Sequence, residues 1–181
     1  MHRRNLLSAI DDYALRYPEE IGVVQRFRVL LENQSDCFER DCWSGHITGS
    51  AWLVSPDQQH VLLTHHRKLN MWLQLGGHSD GDSKTDAVAV REATEESGLS
   101  VQLLQKNIFD LDVHEIPARK NDPAHYHFDV RYQLKATDEK FRISEESLDL
   151  AWVKIDELER YTEEESILRM RRKWYESNSR D

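Results

Sequence analysis

The sequence predicts an α/β fold, and three observations lead there. Apolar residues recur at helical spacing over the first thirty or so positions, again around 84–97 and again near the end. Between these blocks lie stretches in which apolar and polar residues alternate with a period of two, the pattern of a strand with one buried face. No repeat, low-complexity run or long linker interrupts the 181 residues, so one globular unit with a sizeable core is expected.

Residues 3–17 and 19–33 predict two helices, carried by Leu6, Leu7, Ile10 and Leu15, then by Val23, Val24, Phe27, Leu30 and Leu31. Pro18 sets the boundary, because the residue before a proline is pushed out of the helical region. Residues 1–35 are expected to be an N-terminal helical extension, packed on a domain spanning 36–181 or on a second subunit. From His46 the period changes to two. Ile47, Gly49, Ala51 and Leu53 alternate with His46, Thr48, Ser50 and Trp52, as in a half-buried strand. Pro56-Asp57 makes a turn, and His60–His65 is a second, more buried strand, so 46–66 predicts a hairpin. His66-Arg67-Lys68 follows. It reads equally as an exposed basic loop or as a phosphate contact, since arginine and lysine pair well with phosphate oxygens.

Gly76-Gly77 then opens a small acidic loop ahead of a helix over 84–97, which Gly98 stops. Glu92, Glu95 and Glu96 fall at i, i+3 and i+4 and share one helix face, while Ala87, Val90 and Ala93 take the opposite face. Three like charges on one face repel each other. A hard divalent cation, which takes oxygen ligands, would offset that repulsion.

Strands are expected at Val101–Leu104, Ile108–Val113, Tyr126–Leu134 and Leu148–Val153, with a polar loop over 117–124. Ile155–Tyr161 and Glu163–Trp174 read as helices. One face of the 126–134 strand carries His127, Asp129, Arg131 and Gln133, beside a strand carrying Asp110, Asp112 and His114. This polar surface is expected to line a cleft. His46, His78, His114, His125 and His127 recur where the strands would reach the glycine–glutamate region.

The net charge of −9 excludes a global basic field for a nucleic-acid polymer or an anionic membrane. No apolar run approaches the roughly 20 residues of a spanning helix. Two cysteines, Cys37 and Cys42, are too few for a disulfide framework, and a reduced, cytoplasmic protein is expected.

Gly77 together with Arg91-Glu92-Ala93-x-Glu95-Glu96-x-Gly98-Leu99 resembles the Nudix box, G-x5-E-x7-R-E-U-x-E-E-x-G-U with U apolar. The fixed positions are met except one, where Ser83 stands for the first glutamate. Met71-Trp72-Leu73-Gln74-Leu75-Gly76-Gly77 is similar to the W-x-x-P-G-G lead-in of that family, with Leu75 for proline. The resemblance implies an α/β/α sandwich with a mixed central sheet. It implies Mg²⁺- or Mn²⁺-dependent hydrolysis of a nucleoside diphosphate linked to a group X, the partner being a small-molecule diphosphate. Carried over, it makes Glu95, Glu96, Glu92 and the Gly77 backbone metal ligands. Arg91 would orient a carboxylate by an i,i+4 ion pair with Glu95. The general base stays open among Glu96, Glu145 and Glu146. Substrate contacts are expected from Arg67, Lys68, His78, His127 and Arg131. Asp80, Asp82 and Asp86 lie near Ser83 and could stand in for the missing carboxylate. Nudix relatives are frequently dimers, so a homodimer is left open. Gly77-His78-Ser79-x-Gly81-Asp82-Ser83 also looks like type 1 isopentenyl diphosphate isomerase, a Nudix-fold relative. Those enzymes carry a cysteine where this chain has Gly76. A nucleotide sensor that does not cleave is the other alternative.

Overall fold

β1 (His46–Val54) runs through the centre of a mixed sheet and is buried along its whole length. In the computed structural model, which describes residues 2–67, 69–119, 122–143 and 147–178, β7 (His125–Ala136) lies parallel to β1 from His46 opposite His127 to Val54 opposite Lys135. The other edge of β1 is divided. β4 (Leu75–His78) pairs antiparallel with Thr48–Ala51, and β2 (His60–His66) meets β1 only where Val54 faces Val61. The hairpin expected over 46–66 therefore keeps its turn but opens at once, because β4 occupies the edge that β2 would use. β2 pairs instead with β8 (Ser147–Lys154) and β3 (Met71–Leu73). The Gly-Gly stretch, expected as a loop, is strand β4. β5 (Val101–Leu103) and β6 (Asp110–Ile116) share the far edge of β7.

Helices cover both faces. α1 (His2–Arg16) and α2 (Ile21–Asn33), separated by the 3-10 turn Pro18–Glu20, pack with α3 (Thr85–Ser97) on the side of β1 that carries Ile47, Ala51 and Leu53. Leu6, Ile10, Phe27, Ala89, Ala93, Val130 and Leu134 belong to that one core. α4 (Glu165–Asn178) and the 3-10 helix Ile155–Arg160 pack on the other side, where Trp52 meets Phe109, Met170 and Trp174. This double cover explains why the half-buried strand expected at 46–54 is wholly buried, its polar residues included. Within α3 the buried apolar residues are Val88, Ala89 and Ala93; Ala87, expected in the core, is exposed.

The polar faces of β6 and β7 do not line an open cleft along their length. Arg131 is 1% exposed, and its guanidinium meets Asp129 at 2.7 Å, Asp110 at 3.1 Å and Asp112 at 3.4 Å. Two cations from α4 close the cluster: Arg169 reaches Asp110 at 2.7 Å and Lys173 reaches it at 2.6 Å. Lys173 also bonds Glu20 at 2.6 Å and Tyr13 at 2.5 Å, which ties the N-terminal helices in. Tyr13 accepts the backbone N–H of Leu111 at 3.3 Å and so covers part of the free edge of β6.

Burial alone would raise the Asp110 and Asp112 carboxyls. For Asp110 the Arg169, Arg131 and Lys173 cations outweigh it; for Asp112 its hydrogen bond to His114 and the Arg131 and Arg169 cations do; both acids end below the usual range. Their contribution to stability is present above the unfolded carboxylate range, about 4, and is lost as pH falls below it. Urea midpoints measured from pH 7 down to pH 3 are expected to fall through that window. At pH 7, Asp110→Asn should cost about 3–5 kcal/mol, because it leaves buried cations uncompensated. Breaking the exposed Arg28–Asp11 pair by Asp11→Asn should cost less than about 1 kcal/mol.

Candidate active site

The site is where α3 presses on β4. Glu96 Oε1 accepts the Gly76 backbone N–H at 3.0 Å, which brings a helix carboxylate onto the glycine strand. The glycines are required by space. A Cβ on Gly76 would lie 2.0 Å from Ser50 Oγ, and one on Gly77 would lie 2.3 Å from Glu92 Oε2. Bare backbone at Gly77 therefore faces Glu92, and Gly76 makes room for Ser50. Gly98 ends α3 in the left-handed conformation at φ 68°, as its place in the sequence predicts.

Arg91 donates to the His78 carbonyl at 2.7 Å and to Glu92 Oε1 at 2.8 Å. The expected i,i+4 pair with Glu95 is replaced by this contact with the neighbouring acid. The reason is that the guanidinium folds back to satisfy a β4 carbonyl, which takes it past Glu92. Burial raises the Glu92 carboxyl, and Arg91 offsets only part of that. Glu96 is half-buried and Glu95 exposed.

The acidic residues around Ser83 are already engaged. Asp80 holds Arg40 at 2.7 and 2.6 Å, Asp82 accepts the Lys84 N–H at 2.9 Å, and Asp86 accepts the Ala87 N–H at 2.9 Å. Arg67 is exposed on the turn after β2, and His78 is half-buried at the end of β4. Arg131 is a correction. Shut in among three aspartates, it belongs to the buried ion cluster and cannot reach a substrate. Lys68, Glu145 and Glu146 lie outside the described residues.

His127 falls in a cluster of imidazoles. His46 has ring neighbours His78, His125 and His127 at 5.1, 4.9 and 4.7 Å between centroids. Burial, with the neighbouring histidines, pushes the His46 ring down to about 4. The same causes lower His127 further. His114 stands at the rim, 3.1 Å from Asp112.

The family resembled above implies a divalent cation. The donor set fits one: carboxylate oxygens beside a backbone that carries no side chain suit a hard ion such as Mg²⁺ or Mn²⁺. The NUDIX domain model matches residues 45–174. The chain belongs to the NUDIX domain family. A NUDIX-family hydrolase from Clostridium perfringens is 25% identical, with a TM-score of 0.58, over 71% of this chain and 95% of its own. RenU, a Nudix hydrolase from M. smegmatis, is 20% identical over 77% of this chain and 95% of its own, at TM-score 0.55. A UDP-X diphosphatase is 16% identical, but its likeness extends over 99% of this chain and 93% of its own, at TM-score 0.53. These last two show the fold alone, and the UDP-X diphosphatase extends the likeness over the N-terminal helices. Among curated proteins no relative matches. The expectation of a pyrophosphohydrolase stands on the family and on the Clostridium perfringens neighbour. No helix among the described residues is long and apolar enough to cross a membrane.

Sequence reasoning missed Gln74, whose side chain bonds Asp129 at 3.1 Å, and the α4 cations Arg169 and Lys173. Their helical spacing gave no sign of partners some sixty residues earlier in the chain.

Gly77→Ala places a methyl against Glu92. The fold is expected to survive by circular dichroism, while turnover of a diphosphate substrate drops about 100-fold through a carboxylate displaced by about an ångström.

Proposed function

We propose that this Nudix enzyme hydrolyses the diphosphate bridge of a nucleoside diphosphate linked to a group X, with Mg²⁺ or Mn²⁺. The observation that carries the reading is Glu92 and Glu96 of α3 against the Gly76-Gly77 backbone, Glu96 already bonded to it, with Glu95 exposed on the same helix. Glu92, Glu95, Glu96 and the Gly77 backbone would hold the ion, which supplies charge neutralisation to the diphosphate and acidifies water.

The protein's own residues do the rest. Arg91 clamps Glu92 to the His78 carbonyl and so fixes α3 against β4. Arg67 and Lys68 meet the phosphate oxygens, and His78 a polar group of the substrate. A carboxylate takes the proton from water as its oxygen bonds to phosphorus and the bridging oxygen leaves with the other phosphate. Glu96 is that base in this reading, and Glu145 and Glu146 are its rivals. The UDP-X diphosphatase, whose fold extends over nearly the whole chain, supports a nucleoside diphosphate as the substrate core. Residues 1–35 belong to the proposal as a helical extension of the catalytic domain. A cytoplasmic setting is supported by two cysteines that are both free and buried, and a homodimer is tested by sedimentation.

Phosphorus NMR of the protein with pooled nucleoside diphosphate derivatives, with and without Mg²⁺, checks the reading. Metal-dependent loss of one diphosphate resonance is expected, slowed by about 100-fold or more in Glu95→Gln. Metal-dependent binding without turnover would make the protein a sensor instead. Ser83→Glu, which restores the box carboxylate, is expected to lower the Mg²⁺ concentration for half-maximal turnover.

A further inference from the structure

We propose that His46, His125 and His127 form a transition-metal site that takes Zn²⁺, separate from the box carboxylates. Sheet register builds it. His46 and His127 are direct partners across the parallel β1–β7 pair, and His125 lies two residues before His127 on the same face. Ring nitrogens of the three lie within 4.8 Å of one another. Around a four-coordinate zinc, with Zn–N near 2.0–2.1 Å, such nitrogens sit about 3.4 Å apart. Side-chain rotation of about an ångström closes that difference.

The second observation is His46 itself. It is 1% exposed, and among the described residues neither ring nitrogen makes a hydrogen bond of ordinary geometry, its polar contact being with the Cys42 backbone. Buried polar groups are almost always satisfied, and a metal would satisfy this one. His125 is prepared in the manner of a ligand. Its Nδ1 lies 2.9 Å from the Pro123 carbonyl; with the proton there, Nε2 keeps its lone pair for an ion. Three imidazoles leave a fourth position for water or another ligand. The His78 ring borders the site, with its centroid 5.1 Å from both His46 and His127.

Ligand chemistry separates the two sites. Imidazoles select zinc-like ions, and the all-oxygen set at Glu92, Glu95 and Glu96 selects magnesium-like ones. The two also lie on opposite faces of β4. Gly77 faces Glu92, whereas His78, opposite Thr48, falls on the face shared with His46. On this assignment His127 is a metal ligand and does not contact the diphosphate.

The test is zinc binding by tag-free full-length protein in excess Mg²⁺, read by equilibrium dialysis with elemental analysis. One Zn²⁺ per chain is expected. Affinity should fall about 100-fold or more in His127→Ala and in His125→Ala, and stay within about twofold in Glu95→Gln. X-ray absorption of the zinc-loaded wild type keeps the proposal falsifiable should the histidine variants not fold, because imidazole ligands give multiple scattering that carboxylates do not. No zinc bound by the wild type, zinc lost in Glu95→Gln with His127→Ala unaffected, or an oxygen-only shell would each overturn it.

Discussion

Arg131 and the three aspartates around it are the constraint on which the rest of this structure depends. A guanidinium with almost no exposure is tolerated only if its charge and its donors are matched, because desolvation is costly in a low-dielectric interior. Asp129 answers from the same strand, and Asp110 and Asp112 from β6. The surplus of negative charge then requires Arg169 and Lys173, which fixes α4 on the sheet. Lys173 passes the constraint to Glu20 and Tyr13, and so to the N-terminal helices. Asp129 passes it the other way, accepting Thr48 at 2.9 Å, Ser50 at 2.6 Å and Gln74 at 3.1 Å. One charged cluster thus joins β6, β7, β1, the lead into β4, and helices on both faces. A slip of one residue in β7 would turn these groups to the other face and leave every one of them unpaired.

The same register constructs the chemistry. With β7 fixed, β1 follows in parallel, and β4 fills the edge beside Thr48–Ala51. β4 then lies between the Ser50 side chain and α3, so closely that two successive residues must be glycine. The missing side chain of Gly77 is what lets Glu92 lie over it, and that of Gly76 makes room for Ser50, while the Gly76 N–H bonds Glu96. The alternation of the strand turns His78 to the opposite side, toward the histidines of β1 and β7. A run of three residues, Gly76-Gly77-His78, therefore serves a carboxylate face and an imidazole face.

The N-terminal helices are built into this arrangement. Leu6, Ile10, Tyr13 and Phe27 share a core with Ile47, Ala51 and Val130. Arg16 donates to the Ile108 carbonyl at 2.7 Å, and Arg3 to the Leu31 carbonyl at 2.6 Å. Phe27 meets Phe128 edge-on at 5.2 Å, with Arg26 over the neighbouring Tyr126 ring.

The sequence by itself determined what short-range spacing can carry: the helix expected over 84–97 and found over 85–97 with its Gly98 stop, the shared face of Glu92, Glu95 and Glu96, the alternation of β1 and β7, and the box that names the family. These depend on residues a few positions apart, where period and turn chemistry act directly. Only the tertiary structure decided that Gly76-Gly77 is a strand, that β2 leaves β1 for β8, and that Arg91 holds Glu92 rather than Glu95. It alone decided that Arg131 is buried structure and that His46 and His127 are neighbours. Each of those facts is a pairing between distant segments. A polar residue at a strand position has the same local pattern whether water, an ion cluster or a ligand faces it, and only the packed sheet selects among them.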